Sequence, residues 1–202
     1  MIKLYDVALS GNCHKVRLLL SVLQIEFESI SVDLVKGEGQ TEQFLQLNPL
    51  GEVPVLIDGN VTLRDSQAIL VYLAKRYGND NWLPTEAEAM SHVMEWLFFA
   101  ANYIRQGPEF ARRYYKFNLK LDIELATERA YSVLKIVDDR LSQTPWLAGN
   151  NVTIADIACF PYIGLAPEGK IVLEPYHHVI SWLERIKQLP GYLAMPGLEK
   201  IL

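Results

Sequence analysis

The segment Val53-Pro54-Val55-Leu56 constrains the fold of this chain more than any other, because it couples a short apolar run to a proline near its start. Proline has no backbone N–H and favours extended geometry in the residue before it, so a strand begins here but does not pair at this point. We therefore expect the backbone groups of Val53 to stay free for a ligand.

A second feature follows shortly after it, where Asp65 and Ser66 precede a run with helical apolar spacing at Ile69, Tyr72 and Leu73. Acidic and hydroxyl residues cap helix N-termini, and such termini attract carboxylates. Together with the free backbone at Val53, this pattern predicts a small-molecule site built largely from backbone groups.

Composition narrows the class of protein. The chain has 202 residues, of which 50% are hydrophobic and 21% charged, and its formal net charge is -5. An acidic chain without a basic cluster does not favour nucleic-acid binding, and no uncharged segment reaches membrane-spanning length. We therefore predict a soluble cytoplasmic protein with neither a nucleic-acid partner nor a membrane partner.

The two cysteines, Cys13 and Cys159, lie far apart in the sequence, and we expect both to be reduced. The four histidines have no metal-ligand spacing with either cysteine, so we predict no metal site. Cys13 stands near a helix start, where a thiol can be reactive, but no second cysteine follows at thioredoxin spacing. A structural role for Cys13 is the favoured interpretation, with a nucleophilic role as the alternative.

The periodicity of apolar residues changes along the chain. In residues 1–78 it predicts an α/β domain of the form βαβ-ββα with a four-stranded mixed sheet. The predicted strands are 2–7, 27–32, 54–57 and 61–63. Three helices are predicted, one that contains residues 16–23, one at 42–47 and one at 66–77.

Gly, Asn, Asp and Pro dominate the next residues, and we place a linker at 79–85. Residues 86–202 are expected to form an all-α helical bundle with helices at 86–104, 120–141, 154–165 and 179–189. Thr153 and Asp156 form a predicted capping box with a structural role, in which Asp replaces the usual Glu.

The order of these features, with the strand-like Lys3-Leu4-Tyr5 and the turn Ser10-Gly11-Asn12-Cys13-His14-Lys15-Val16, resembles the cytosolic glutathione S-transferases. The phrase Trp146-Leu147-Ala148-Gly149 leading into Thr153-Ile154-Ala155-Asp156-Ile157 is similar to the hallmark of their helical domain. The resemblance covers nearly the whole chain. It implies a thioredoxin-like N-terminal domain, and it fits a bacterial serine-type enzyme that is theta/delta-like or nu-like.

The resemblance also implies a glutathione site. In the family a cis proline exposes the backbone of the preceding residue to the cysteinyl part of glutathione, which here corresponds to Val53 and Pro54. The acidic-Ser pair, Asp65 and Ser66, is expected to hold the γ-glutamyl carboxylate. Gln40 lies within one residue of the position that binds the glycyl carboxylate in relatives.

Catalysis requires the thiol of glutathione to ionise. Its unperturbed pKa should be roughly 8.5 to 9, and lowering it by about two units is worth about 2.7 kcal/mol. By resemblance to serine-type transferases, Ser10 donates a hydrogen bond to the thiolate. Asn12 replaces the proline of several such enzymes and resembles nu-class enzymes, which reduce disulfides with glutathione, so Asn12 is expected to share or take over that contact. The alternative for both residues is ordinary turn and cap chemistry.

The second substrate is expected against the helical domain, at Tyr103, Phe110, Arg112 and Arg113. An apolar wall with cations suits a hydrophobic electrophile that carries some negative charge. The alternative is that these aromatic residues belong to the core and that the arginines are solvated. A homodimer is implied by the resemblance alone.

The favoured function is therefore conjugation of the glutathione thiolate to hydrophobic electrophiles in detoxification. One alternative is a glutathione-dependent disulfide or peroxide reductase, and another is a non-enzymatic binding or interaction protein.

Overall fold

A four-stranded mixed sheet forms the first part of the molecule, as predicted. The computed structural model describes residues 1–199, so the last three residues of the predicted range 86–202 lie outside it. The strands are β1 (Ile2–Asp6), β2 (Phe27–Ser31), β3 (Val55–Asp58) and β4 (Val61–Arg64). Their order is β2-β1-β3-β4, with β1 and β2 parallel and the other pairs antiparallel.

Helices cover this sheet. They are α1 (Gly11–Val22), α2 (Glu42–Leu47) and α3 (Ser66–Tyr77), and a short 3-10 turn at Glu38–Gln40 precedes α2. The apolar faces of α1 and α3 are fully buried and pack against each other, for example at Leu19 and Ile69. The N-terminus of α1 follows β1 after a short loop, which places the start of α1 at the C-terminal end of this interior strand.

The remainder of the chain is helical. It comprises α4 (Ala87–Phe99), α5 (Phe110–Phe117), α6 (Ile123–Leu141), α7 (Ile154–Gly164), a 3-10 turn (Ala166–Gly169) and α8 (His177–Lys187). Helix α7 is buried along its whole length and contacts α1, α3, α4 and α8, so one core joins the two parts of the molecule. The helices formed by residues 1–199 are too short or too polar to span a bilayer.

Two predicted helices differ from the structure. The helix predicted at 86–104 does not end there, because a π-helical segment (Ala100–Glu109) carries it into α5, a helix that was not predicted separately. Gly107 and Pro108 are typical of a position where a helix ends. Here the chain stays helical, because the wider π-helical turn accommodates the proline. The helix predicted at 120–141 begins only at Ile123, since Asp122 is its N-cap and accepts from the N–H of Leu125 at 3.0 Å.

The capping box at the start of α7 is present as predicted. The Asp156 carboxylate accepts from the backbone N–H of Thr153 at 3.0 Å and from that of Leu147 at 3.0 Å. It also accepts from the indole N–H of Trp182, on α8, at 2.9 Å. One buried carboxylate therefore ties together the start of α7, the preceding loop and α8.

Candidate active site

A cleft of about 810 Å³ lies between the end of the sheet where β1 finishes and β3 begins and the helical part of the molecule. On the sheet side its walls are the loop after β1, the residues before β3 and the N-terminus of α3. On the helical side they are the π-helical segment, α5 and Tyr162 of α7. The cleft therefore brings together the segments that the sequence singled out.

Ser10 is the N-cap of α1 at the floor of this cleft. Its hydroxyl oxygen accepts from the backbone N–H of Cys13 at 3.2 Å, so its own O–H remains available as a donor. Gly11 follows, and a side chain there would clash, because an added Cβ would lie 2.7 Å from the ring of Tyr162. The glycine lets the start of α1 pack directly against α7.

Asn12 lines the same floor. Its side-chain oxygen accepts from Nζ of Lys15 at 2.8 Å and lies 3.4 Å from the hydroxyl oxygen of Ser66, whose proton is donated to Oε1 of Gln67. Its Nδ2 group has no partner among residues 1–199 and is not sealed from solvent. The structure thus offers two donors in one place, the O–H of Ser10 and the N–H2 of Asn12.

The peptide bond between Val53 and Pro54 is cis, and both residues line the cleft. Strand β3 pairs with β1 only from Val55 onward, which leaves Val53 outside the ladder. The preceding loop is organised by buried Asn48, whose Nδ2 donates to the carbonyl of Glu52 at 2.7 Å and whose Oδ1 accepts from the N–H of Leu50 at 3.1 Å.

Asp65 and Ser66 stand at the start of α3. Asp65 has a positive φ of 76° and caps the helix, since its Oδ1 accepts from the N–H of Gln67 at 2.9 Å and of Ala68 at 3.0 Å. A carboxylate already bound by the helix suits a ligand's ammonium, whereas the Ser66 hydroxyl and the helix N-terminus suit its carboxylate. The pair therefore matches both charges of an amino-acid head group.

The helical wall of the cleft is rich in charge. Arg112 is buried, and its Nε donates to Glu168 at 2.5 Å while its Nη1 donates to the carbonyl of Leu9 at 3.0 Å. Nη1 of Arg113 lies 3.7 Å from Oε1 of Glu109. Burial raises the pKa of Glu109, against the opposing effects of nearby Lys15 and Arg113.

Three residues proposed for the site from sequence lie outside the cleft lining. Gln40 is exposed and packs over Gly51, where an added Cβ would lie 2.2 Å from its Nε2. Tyr103 is 57% exposed in a separate shallow depression formed with Phe98 and Phe99. Phe110 packs against the hydrophobic core, because the π-helical segment rotates the residues that follow it.

Several residues of the cleft were not anticipated from the sequence. They are Arg64, Gln67, Arg105, Glu109 and Tyr162 in the lining, with Lys15 beneath it. Gln67 directly follows the Asp65-Ser66 pair and was within reach of sequence reasoning. Tyr162 and Lys15 were not within reach of sequence reasoning, because only the packing of their helices shows that they lie at the cleft.

Neither cysteine has the surroundings of an activated thiol. Cys13 and Cys159 are both free and buried, and burial raises the pKa of Cys13 to about 12. A reactive thiolate needs the opposite shift. Residues 1–199 also contain no cluster of three or more His, Cys, Asp or Glu side chains placed to hold a metal ion.

Both parts of the chain match the domains of one known protein family. Residues 1–75 match the model of the glutathione S-transferase N-terminal domain, and residues 89–190 match that of the C-terminal domain. The chain belongs to the glutathione S-transferase family. It is an enzyme of that family, whose members use glutathione as a substrate.

Among curated relatives, Disulfide-bond oxidoreductase YfcG of Escherichia coli is 34% identical over 95% of this chain and 92% of its own. Glutathione S-transferase 2 of Anopheles gambiae is 32% identical over 100% of this chain and 99% of its own. A crystal structure of a glutathione S-transferase from Pseudomonas fluorescens superposes with a TM-score of 0.91 at 32% identity, covering 96% of this chain and 98% of that one.

Proposed function

We propose that this enzyme conjugates glutathione to hydrophobic electrophiles. Residues 1–78 bind and ionise glutathione, and residues 86–202, joined by the linker 79–85, supply the wall against which the electrophile binds. The thiolate sulfur forms a bond to the electrophilic carbon while the leaving group departs with its electron pair, and the thiol proton passes to solvent. The carrying observation is the pair of available donors at the start of α1, Ser10 and Asn12, inside the cleft.

These donors supply the thiolate stabilisation that the reaction requires. Two hydrogen bonds to an anion, added to the field of a helix N-terminus, are of the right size to lower a thiol pKa by about two units. The thiolate would lie over the first turn of α1, where the electrostatics favour negative charge. Ser10 and Asn12 are therefore the proposed catalytic residues.

The remainder of glutathione fits the other groups of the cleft. The backbone of Val53 before cis-Pro54 is proposed to pair with the cysteinyl unit, and Ser66 at the start of α3 to bind the γ-glutamyl carboxylate, with Asp65 facing the ammonium. We propose Gln40 for the glycyl carboxylate, a contact that requires its exposed side chain to move from its position against Gly51 into the cleft.

We propose Arg112 and Arg113, rather than Tyr103 and Phe110, as the residues of the second-substrate wall. Both arginines line the cleft, whereas the two aromatic residues do not. Ala100, Phe117 and Leu119 add apolar surface beside them. This composition suits an electrophile with an apolar body and an anionic substituent.

Reduction of a disulfide by glutathione is the second candidate, favoured by Asn12 in the thiol loop and by the name of the Escherichia coli relative. Because Cys13 is buried with a raised pKa, both electrons would come from two glutathione molecules. One thiolate attacks the disulfide and releases a thiolate, and a second glutathione resolves the mixed disulfide to give oxidised glutathione. Peroxide reduction would follow the same two-thiol stoichiometry.

The test is a comparison of turnover on a chloronitroaromatic and on a mixed disulfide, together with a pH titration of the thiolate absorbance of bound glutathione. Conjugation predicts turnover of the aromatic substrate and a bound thiol pKa at least one unit below that of free glutathione. Activity on the disulfide alone would establish the second candidate. A bound thiol without a lowered pKa would contradict both.

Substitutions then assign the residues. Ser66→Ala is expected to weaken glutathione binding about tenfold, the loss of one hydrogen bond to a charged group. Ser91→Ala, on the exposed face of α4, is the matched control, because within residues 1–199 its hydroxyl bonds only the carbonyl of Ala87. Ser10→Ala and Asn12→Ala are expected to raise the bound thiol pKa.

We also propose that the enzyme is a cytoplasmic homodimer. Phe98 and Tyr103 are 66% and 57% exposed on neighbouring turns, beside Phe99, and a second copy would remove this apolar surface from water. Both described cysteines are free thiols, as a reducing compartment allows. Light scattering of the purified protein and of Phe98→Lys tests the dimer, since loss of dimer in the variant alone is expected.

A further inference from the structure

Lys15 lies buried beneath the floor of the cleft and is not among the residues that line it. Its side chain is 1% exposed, and its Nζ donates to the side-chain oxygen of Asn12 at 2.8 Å. The Nζ also lies 5.4 Å from the ring centroid of Tyr162. The titratable and charged groups that act on it are Glu109, Cys159, Asp65 and Arg105.

The contact matters because an amide side chain has two different ends. The oxygen of Asn12 accepts hydrogen bonds and would repel a thiolate, whereas its N–H2 group donates and would stabilise one. An ammonium has three donors and no acceptor, so it bonds only to the oxygen. The Ser66 hydroxyl oxygen lies 3.4 Å from the same oxygen but donates its proton to Oε1 of Gln67, so Lys15 supplies the short hydrogen bond to the Asn12 oxygen and the N–H2 group is left for the cleft.

We propose that Lys15 is a positioning residue that holds the Asn12 amide with its N–H2 group toward the sulfur of bound glutathione. This inference rests on the proposed function, because it assigns Asn12 to the thiolate. It adds that the orientation of Asn12 is set from below by a buried cation rather than by glutathione itself.

Burial of the Lys15 ammonium costs free energy, because it removes the charge from water. A lysine at this position is therefore expected to have a role that offsets this cost. Burial lowers the pKa of Lys15, and Glu109 offsets part of that effect. A methionine would fill a similar volume without the desolvation cost, and well-packed apolar residues often replace buried ion pairs without loss of stability. Packing alone therefore does not require a lysine here, whereas orientation of a neighbouring amide does.

A double-mutant cycle tests the proposal with wild type, Lys15→Met, Asn12→Ala and the double variant. The readout is the pKa of bound glutathione from thiolate absorbance, alongside KM and kcat. Lys15→Met and Asn12→Ala are each expected to raise the thiol pKa by about one unit, with KM for glutathione changing less than twofold. The double variant is expected to show no further rise, because Lys15 acts through Asn12.

Lys75→Met is the control for loss of a lysine outside the cleft, since exposed Lys75 donates to the carbonyl of Leu83 at 2.7 Å, lies 3.6 Å from Asp80 and does not line the cleft. It should leave the thiol pKa unchanged. If Lys15→Met does not fold, Lys15→Met combined with Glu109→Gln removes both buried charges, and this pair then replaces the single variant in the cycle with the same expected result.

Each other outcome has a distinct meaning. A wild-type enzyme that does not lower the thiol pKa contradicts the proposed function itself. A normal wild type with an unaltered pKa in folded Lys15→Met overturns the role of Lys15 alone. A rise in pKa that is equally large in the Asn12→Ala background assigns Lys15 to a through-space charge effect, which also overturns the positioning role.

Discussion

The guanidinium of Arg112, in the helical part of the molecule, donates a hydrogen bond to the carbonyl of Leu9, the residue before Ser10, at 3.0 Å. The same side chain is held by Glu168 at 2.5 Å, and Glu168 also pairs with Lys116. The loop that carries Ser10 is therefore fixed by a residue that lies more than one hundred positions away in the sequence. The geometry of the thiol site depends on the helical domain as well as on the sheet.

Replacing Arg112 by methionine is expected to destabilise the protein by about 3 kcal/mol, because removal of one partner leaves buried polar groups unpaired. It is also expected to lower kcat, since the Ser10 loop loses a support. Urea unfolding and steady-state kinetics measure the two effects. Arg113→Met is the control for stability, because Arg113 is 38% exposed and its contact with buried Glu109 is 3.7 Å long, so it should contribute less than about 1 kcal/mol. Equal losses in the two variants would contradict the interdomain role of Arg112.

Asp65 is expected to have two separable roles, capping of α3 and binding of the ligand's ammonium. Asp65→Asn keeps the cap and tolerates the positive φ, so the free energy of unfolding should change by less than about 0.5 kcal/mol while glutathione binding weakens about tenfold. Asp65→Ala should weaken binding and also cost about 1 kcal/mol of stability. Calorimetry and thermal unfolding separate the roles. Unchanged affinity in Asp65→Asn would exclude the ammonium contact.

His14 is expected to make stability depend on pH. It is fully buried, neither ring nitrogen has a partner among the described residues, and burial lowers its pKa to about 3. The unfolded chain takes up a proton near pH 6.5 and the folded protein does not, so stability falls as the pH drops. Between pH 6.5 and 4.5 the wild type should lose about 2 kcal/mol more than His14→Leu does.

Exposed His92 supplies the control for that measurement, because it lies on the surface of α4 beside Glu95. His92→Leu should keep the pH dependence of the wild type. A wild-type profile that runs parallel to that of His14→Leu would show that His14 is protonated in the folded protein.

Asp156 is expected to be the most costly helix cap to remove. It is fully buried and accepts from four donor groups, so Asp156→Ala should destabilise the protein by about 3 to 5 kcal/mol. Glu86 is the matched control, since it caps α4 through two backbone N–H groups at the exposed surface. Glu86→Ala should cost about 1 kcal/mol. Similar losses in chemical denaturation would contradict the role of the buried network.

The sequence predicted the sheet and most helices because their apolar spacing is regular. Strands β1 to β4 and helix α3 differ from prediction by at most one or two residues at each end. The π-helical segment was not predictable in this way, because its hydrogen bonds do not follow the α-helical period and Gly107-Pro108 is typical of a break. Helix α5 was missed for the same reason.

The sheet side of the cleft was also accessible from the sequence, since local motifs supply it. Ser10, Pro54 and Ser66 each belong to a short pattern with its own chemistry, and all three line the cleft. The helical wall comes from tertiary packing, which places Glu109 and Tyr162 in the lining and keeps Phe110 in the core. Residue types alone do not contain that information.

The π-helical segment has a consequence for how this enzyme tolerates changes in length. Each helical residue advances the chain by about 100° around the axis, so loss of one residue between Ala100 and Glu109 would turn Glu109, Arg112 and Arg113 away from their present direction relative to α4. The arginine that supports Leu9 would then face elsewhere. Homologues with a one-residue deletion in this segment should accept different electrophiles even where both arginines are retained, whereas point substitutions there should alter substrate range only gradually.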